Sequence, residues 1–252
     1  MCGIAGFIGE RQPELLNKMG ERIAHRGPDQ HGRFEDDYFS VIHARLAIID
    51  LSEAGRQPLH SADGRYVLVY NGEIYNYEER RRVYEARGYS FRTQTDSEVL
   101  LASMELAQLA DLHELHGMFA FVIWDRQERF LYASRDHLGI KPLYYAVRGS
   151  TLAFASEIKA LLVWTGSCRV EPISQRQYVA FGFIPEERTI FEGILAFPPG
   201  KLGIWQGSAW TWKEYDQSTS QQQVTPLDVL RDRVCESVRR QLISDRPVGL
   251  FL

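Results

Sequence analysis

Along this chain the apolar positions alternate between a period near two and a period near 3.6, and that pattern sketches the elements before any motif is considered. Residues 4–8 predict a short buried strand, and residues 13–24 a helix with Leu15, Leu16, Met19 and Ile23 on one face. Apolar and β-branched runs predict strands at 38–44 and 46–51, interrupted by Arg45, and another at 66–70. A charged helix starts near Asn76, which has Glu79 three residues on, and ends at Gly88. The next helix opens on Thr95-Asp96-Ser97-Glu98, a capping-box pattern, with Val99, Leu100, Ser103, Leu106 and Ala107 at helical spacing. Strand pairs come next at 118–124 with 130–133 and at 143–147 with 151–155. Short helices at 156–163 and 174–181 precede a Trp-rich hairpin at 202–215.

Residues 216–223 are rich in Ser and Gln and read as a linker, which divides the chain into domains at 1–217 and 218–252. Beyond the linker, Thr225-Pro226 caps a helix with Leu227, Leu230, Val234, Val238 and Leu242 on one stripe. An apolar strand then begins at Val248 and the sequence stops inside it, so the second domain is expected to be truncated.

Composition narrows the function classes. No apolar run approaches the ~18–20 residues of a membrane-spanning helix. The net charge of −4 gives no global attraction to nucleic acid or anionic lipid. The N-terminus lacks a basic segment followed by a long apolar one, so no secretory leader is legible. Three cysteines, Cys2, Cys168 and Cys235, are odd in number and far apart, which fits neither a disulfide framework nor a paired-cysteine zinc site. A reducing cytoplasm is the expected setting.

The candidate chemistry starts at Met1-Cys2-Gly3-Ile4-Ala5-Gly6. Removal of Met1 would make Cys2 a residue with both a thiol and a free α-amine, groups that exchange protons near neutral pH. A free amine beside a nucleophile can act as its base. A buried strand that happens to carry a cysteine is the plain alternative. Residues 25–32 are dense in turn formers and charge and predict an exposed loop over a site; its two histidines find no third ligand at metal spacing. Arg45 is either a surface ion-pair partner or a fork for a carboxylate. Asn71-Gly72 is a common hairpin signal, but the residues after it do not alternate as a returning strand should. Read as lying between strand and helix, the pair offers a side-chain amide and a backbone N–H, donors of the oxyanion-hole type. Asp96 serves either as first-turn acidity or as a ligand for an ammonium. The run Arg80-Arg81-Arg82 reads as a solvated helix face, and His113 and His116 as structural or exposed.

Several segments, in order, resemble the glutamine-dependent asparagine synthetase family, whose N-terminal half is a class II glutamine amidotransferase. They include the Cys2 segment, His25-Arg26-Gly27-Pro28-Asp29, Arg45-Leu46-Ala47-Ile48-Ile49-Asp50 and Asn71-Gly72-Glu73-Ile74-Tyr75-Asn76-Tyr77. Thr95-Asp96-Ser97-Glu98, Gly117-Met118-Phe119-Ala120-Phe121, Gly139-Ile140-Lys141-Pro142-Leu143-Tyr144-Tyr145 and Ser156-Glu157-Ile158-Lys159 continue the match. Arg80 stands where the family usually has Leu, and His137 where Arg is common.

The resemblance implies an α+β fold, a four-layer αββα N-terminal-nucleophile (Ntn) hydrolase sandwich, followed by the first helix and strand of a truncated α/β synthetase domain. It implies hydrolysis of the glutamine side-chain amide to glutamate and ammonia through a Cys2 thioester. Asn71 and Gly72 would form the oxyanion hole, Arg45 would take the substrate carboxylate, and Glu73 and Asp96 the ammonium. Backbone groups of Leu46, Ile48 and Ile49 would frame the site. No cofactor or metal is implied for this step; ATP and Mg belong to the missing synthetase domain, where aspartate or another acceptor would be amidated. A homodimer is compatible with this reading; nucleic acid and membrane are not among its partners. The alternatives are an amidotransferase of a polysaccharide or natural-product pathway, and a non-catalytic regulatory module of the same fold.

Overall fold

The computed structural model describes residues 1–185, 187–215 and 226–249. In chain order the elements are β1 (Gly3–Ile8), α1 (Pro13–Ile23), β2 (Gln30–Glu35), β3 (Phe39–Arg45), β4 (Leu59–His60), β5 (Tyr66–Ile74), α2 (Tyr77–Ala86) and α3 (Glu98–Ala107). Then come β6 (Gly117–Asp125), β7 (Phe130–Arg135), β8 (Tyr144–Arg148), β9 (Thr151–Ala155), α4 (Ile158–Thr165) and α5 (Pro172–Phe181). The last are β10 (Ile194–Ala196), β11 (Lys201–Gln206), β12 (Ala209–Glu214) and α6 (Leu227–Arg240).

The strands form two six-stranded sheets, ordered β10-β8-β9-β1-β3-β2 and β12-β11-β7-β6-β5-β4. Contacts divide the chain into two compact units. The first comprises Met1–Leu46, Arg56–Gly72 and Met118–Glu214; the second comprises Ala47–Gly55, Glu73–Gly117 and Tyr215–Leu252.

Within the first unit the sheets share one apolar core. Ile4, Val41, Leu152 and Phe154 come from one sheet, and Val67, Val69, Val122, Trp124 and Leu131 from the other. On its opposite face the first sheet packs Ala5, Phe7, Ala153 and Ala155 against Leu16, Met19 and Ile23 of α1 and Ala160 and Leu161 of α4. The period-two register explains why Ile4 and Ala5 feed different cores: adjacent strand residues point to opposite faces. A strand buried on both faces reads as a continuous apolar run, as β1 does. Unit 1 thus stacks helix, sheet and sheet.

Helices α2 and α3 belong to the second unit and pack on each other. Arg80 does not lie on a solvated face. It is buried and paired with Asp111 at 3.2 Å and with Glu114, while Tyr84 donates to the same Asp111 at 2.8 Å. Burying a cation requires such partners, so the charged helix is less amphipathic than its composition suggests. Neither expected N-cap forms. Asn76 instead donates to Glu114 O and accepts from His116 N, both at 2.9 Å. Glu98 accepts from the backbone of Arg92 and Thr93 rather than from Thr95.

Three further expectations are corrected. Residues 46–51 are a loop rather than a strand. Alternating burial of Ala47 and Ile49 imitates a strand, but Asp50 takes φ 54°, which breaks the extended chain. Inside the second unit the loop is held by Asp245 N to Ile48 O at 2.9 Å, Asp50 N to Asp245 Oδ2 at 2.7 Å and Gln94 N to Asp50 Oδ2 at 2.9 Å. Asn71 and Gly72 lie inside β5, which continues through Ile74 before α2 begins. The loop predicted at 25–32 is shorter than expected, because β2 starts at Gln30. The linker at 216–223 lies outside the described residues, as does most of the strand expected after Val248. The stripe of α6 is exposed throughout, from Leu230 at 48% to Leu227 at 80%.

Candidate active site

Antiparallel pairing of β1 with β3 matches Gly3 with Ala44 and Ile4 with His43. The N-terminal end of β1 therefore meets the C-terminal end of β3, and Cys2 arrives beside Arg45 and Leu46 although 43 and 44 residues separate them. Leu46 N lies 3.4 Å from Cys2 Sγ, and the Sγ lies 3.6 Å from Leu46 O. The Cys2 sulfur therefore accepts from the N–H and donates to the carbonyl of one residue, Leu46, at the end of β3. Arg26 grips the same residue from the other side, donating from Nε to Cys2 O at 2.8 Å and from an NH group to Glu157 at 3.0 Å. Ser156 holds the next turn of the strand through Ile4 N at 3.0 Å. The half-buried nucleophile candidate thus sits in a backbone fixed by side chains from elsewhere in unit 1.

Gly27 explains how Arg26 comes so near. A Cβ there would fall 2.3 Å from the Ala44 carbonyl and 2.5 Å from the Arg45 carbonyl carbon, so only glycine lets the loop press on β3. Asp29 N then donates to Arg45 O at 3.1 Å. Arg45 itself is 4% exposed; its guanidinium donates to Gln30 at 2.7 Å, the residue matched with it in the β2–β3 register.

Tyr70, Asn71 and Gly72 lie on β5 of the opposing sheet. Asn71 is buried, and its Nδ2 has no acceptor among the described residues. Leaving a buried donor unsatisfied costs about 1–3 kcal/mol, so such an atom calls for an explanation. Gly72 is required by close approach: a Cβ would come 2.5 Å from Met118 O and 2.7 Å from Phe119 Cα of β6.

In the second unit Glu73 and Asp96 are both buried, and Asp96 Oδ2 accepts from Ile74 N at 2.9 Å. That bond ties Asp96 to the end of β5. Ile48 is half-buried, with its carbonyl engaged by Asp245, and Ile49 is buried. Unit 1 therefore joins Cys2, Arg45 and Leu46 at one strand end and carries Asn71 and Gly72 on β5, while unit 2 holds Ile48, Ile49, Glu73 and Asp96.

Two contributors are not legible in the sequence. Arg26 stands there only as part of a motif, and no periodicity could announce a side chain that reaches a carbonyl 24 positions away. His43 reads as one more residue of a strand. It is fully buried, and its Nε2 lies 2.9 Å from Tyr70 O, a hydrogen bond between the two sheets. A polar residue inside the apolar run Phe39-Ser40-Val41-Ile42-His43-Ala44 was the available signal.

Burial first of all pulls the His43 pKa down from 6.5 to about 4; the Tyr70 bond opposes this, and Arg45 and His31 add to it. The imidazole is therefore neutral at pH 7 and donates from Nε2. Between pH 6.5 and 4 the unfolded chain binds a proton that the folded chain refuses. The associated stability is complete above pH 6.5 and is lost as pH falls through that window, by roughly 3 kcal/mol. Urea unfolding at pH 7 and pH 4.5 is expected to show a smaller loss in His43→Gln than in the parent. Equal losses would contradict the buried neutral imidazole.

Comparison with known proteins bears on the same residues. A family model described as a glutamine amidotransferase domain matches residues 1–216. The chain is 39% identical over 264 residues to asparagine synthetase [glutamine-hydrolyzing] 1 of Bacillus subtilis, covering 100% of this chain and 42% of that protein. It is 35% identical over 266 residues to asparagine synthetase B of Escherichia coli, again 100% of this chain and 42% of that one. It is 34% identical over 280 residues to amidase chry2 of Gibberella zeae, covering 100% and 41%. The chain thus spans less than half the length of these curated relatives. Among solved structures, glutamine phosphoribosylpyrophosphate amidotransferase from B. subtilis superposes with a TM-score of 0.63 at 19% identity, over 86% of this chain and 50% of that one. That likeness concerns the fold alone, and it agrees with an α+β Ntn-hydrolase sandwich built on two antiparallel sheets. With its model matched from the first residue through the end of β12, the chain belongs to the glutamine amidotransferase family.

Proposed function

We propose that this chain hydrolyses the side-chain amide of glutamine through a thioester on Cys2. The observation that carries the reading is the orphaned Asn71 Nδ2, a buried donor with no acceptor among the described residues. A tetrahedral oxyanion is the acceptor such a donor awaits.

In this mechanism Met1 is removed and the α-amine of Cys2 takes the thiol proton, directly or through one water. Burial, then the positive charges of Arg26 and Lys141, lower the pKa of the Met1 amine, while Cys2 and Asp29 oppose the shift. After Met1 is removed, the Cys2 amine takes over the role of base beside its own thiol. The thiolate attacks the carboxamide carbon, and its oxygen becomes an oxyanion that accepts from Asn71 Nδ2 and the Gly72 N–H. The α-ammonium returns a proton to the departing nitrogen, which leaves as ammonia. Water then opens the thioester and releases glutamate. The Arg26 bond to Cys2 O and the Leu46 N–H at sulfur keep the nucleophile in position through both steps.

The guanidinium of Arg45 takes the substrate carboxylate in this reading, and Glu73 and Asp96 take the ammonium, with backbone of Leu46, Ile48 and Ile49 around them. These assignments match one cation to one anion and carboxylates to a cation. The ammonia would serve an ATP- and Mg-dependent amidation of aspartate or another acceptor, carried by sequence outside these 252 residues. In the proposed domain division, residues 1–217 are the glutaminase and residues 218–252 the linker and the beginning of that second part.

The test supplies glutamine to chain shown by intact mass to lack Met1, with and without aspartate and Mg-ATP. Glutamate formed at one rate in both mixtures, without asparagine or AMP, is expected. Glutamate no faster than in buffer would overturn the proposed function, and asparagine would overturn the division of labour.

A further inference from the structure

Tyr70, the residue immediately before Asn71, is held at both its backbone carbonyl and its N–H by buried side chains. His43 Nε2 donates to Tyr70 O at 2.9 Å, and Gln57 Oε1 accepts from Tyr70 N at 2.6 Å. His43 is fully buried and Gln57 4% exposed, so neither bond competes with water. Such bonds gain strength from the low local dielectric, and losing one leaves a stranded partner.

Position makes the clamp more than generic support. In the β1–β3 register His43 lies opposite Ile4, two residues from Cys2, and two residues along β3 from Arg45. Tyr70 precedes Asn71 and Gly72 on a strand of the other sheet. The His43 bond therefore spans from the sheet that carries the nucleophile to the sheet that carries the oxyanion donors. The core between the two sheets includes apolar Ile4, Val41, Val67 and Val69. Apolar packing sets the spacing of two sheets but tolerates small slides, whereas a hydrogen bond has a narrow optimum in distance and angle. His43 Nδ1 has no partner among the described residues, so the ring carries a cost on its other edge.

We infer that His43 and Gln57 are positioning residues that set the register of Asn71 and Gly72 against Cys2 and so align the oxyanion hole. Neither touches substrate. This rests on the oxyanion-hole role proposed for Asn71 and Gly72, and it adds a determinant of how that hole is held. The clamp acts on the tetrahedral state, in which charge sits on oxygen, and not on the flat ground state bound through Arg45.

The test separates these two states with two probes. Glutamate γ-semialdehyde adds the Cys2 thiolate to its aldehyde carbon; the carbonyl electron pair moves to oxygen, giving an alkoxide that occupies the hole. Glutamate binds without forming that centre. His43→Leu is expected to lower kcat and weaken aldehyde binding by the same factor, roughly 10- to 100-fold, the scale of a misplacement approaching 1 Å. Glutamate inhibition and KM should stay within about twofold, the signature of an interaction made only in the transition state. His43→Gln, which restores an N–H near the Nε2 position, should recover most of the loss. Gln57→Met loosens the same residue, Tyr70, at its N–H and should repeat the split, so the test survives if His43→Leu does not fold.

Equal weakening of both probes in these variants, or lost thermal stability with unchanged kinetics, would overturn the inference in favour of a merely structural role. Asn71→Ala is the control for the underlying reading. If it too binds the aldehyde like the parent, the oxyanion-hole assignment falls and the inference with it. If Asn71→Ala loses aldehyde binding and both clamp variants keep it, the clamp alone is refuted.

Discussion

Cys2→Ala is expected to reduce glutamine hydrolysis to the background rate, a fall of at least ~10⁴-fold, because removing a nucleophile removes the covalent route itself. The fold should survive. Cys2 is only partly buried, and among its ties are two through backbone, Arg26 to its carbonyl and the β1–β3 pairing that begins at the next residue. Alanine keeps both, so thermal unfolding should stay within about 1 kcal/mol of the parent, as for substitutions away from core features. Glutamate should still inhibit, because the proposed carboxylate site at Arg45 is untouched. The other thiols supply an internal control. Cys168 and Cys235 are both exposed and unpaired, so they are the more accessible to alkylation. Cys168→Ser and Cys235→Ser should leave turnover unchanged. Turnover by Cys2→Ala above one hundredth of the parent rate would remove Cys2 from the mechanism. The same logic extends to Met1. Protein in which mass spectrometry finds the methionine retained should be inactive, because its Cys2 nitrogen is an amide and not a base.

The second large effect is at Asn71. Replacing it with alanine should lower kcat by about 10²–10³, or roughly 2.7–4 kcal/mol of barrier, the usual consequence of losing one oxyanion donor. KM should change little, since the donor acts on charge that appears only in the transition state. Stability is expected to behave unusually. Truncating a buried side chain ordinarily destabilises through the cavity it leaves. Here the substitution also removes a donor with no acceptor, so the two effects oppose each other. The net change should lie within about 1 kcal/mol. A loss of several kcal/mol in urea unfolding, with kcat intact, would show that Asn71 serves the fold and not the reaction.

Most of the strand and helix pattern was legible because each element carries its own period. The β6–β7 and β8–β9 pairs pair antiparallel where apolar runs and intervening turns placed them. Elements failed where burial did not follow from local pattern. Residues 46–51 alternate in burial like a strand, yet Asp50 bends the chain and partners from Gln94 and Asp245 hold it there. Arg80 reads as solvated on a charged helix, yet Asp111 and Glu114, more than 30 residues away, allow it to be buried. No window of ten or fifteen residues contains either set of partners.

Chemical identity was the sequence's own contribution: a cysteine at the second position, an arginine after an apolar strand, and the Asn-Gly pair. These are properties of single residues and short spacings, and folding does not alter them. Only the tertiary structure decided which of them meet. The β1–β3 register carries Cys2 to Leu46 across 44 positions, and Gly27 admits Arg26 to the Cys2 carbonyl. His43 acquires meaning only when a second sheet lays Tyr70 2.9 Å from its ring. The physical reason is that hydrogen bonds and close packing act over a few ångströms of space, and sequence distance says little about which residues will share them.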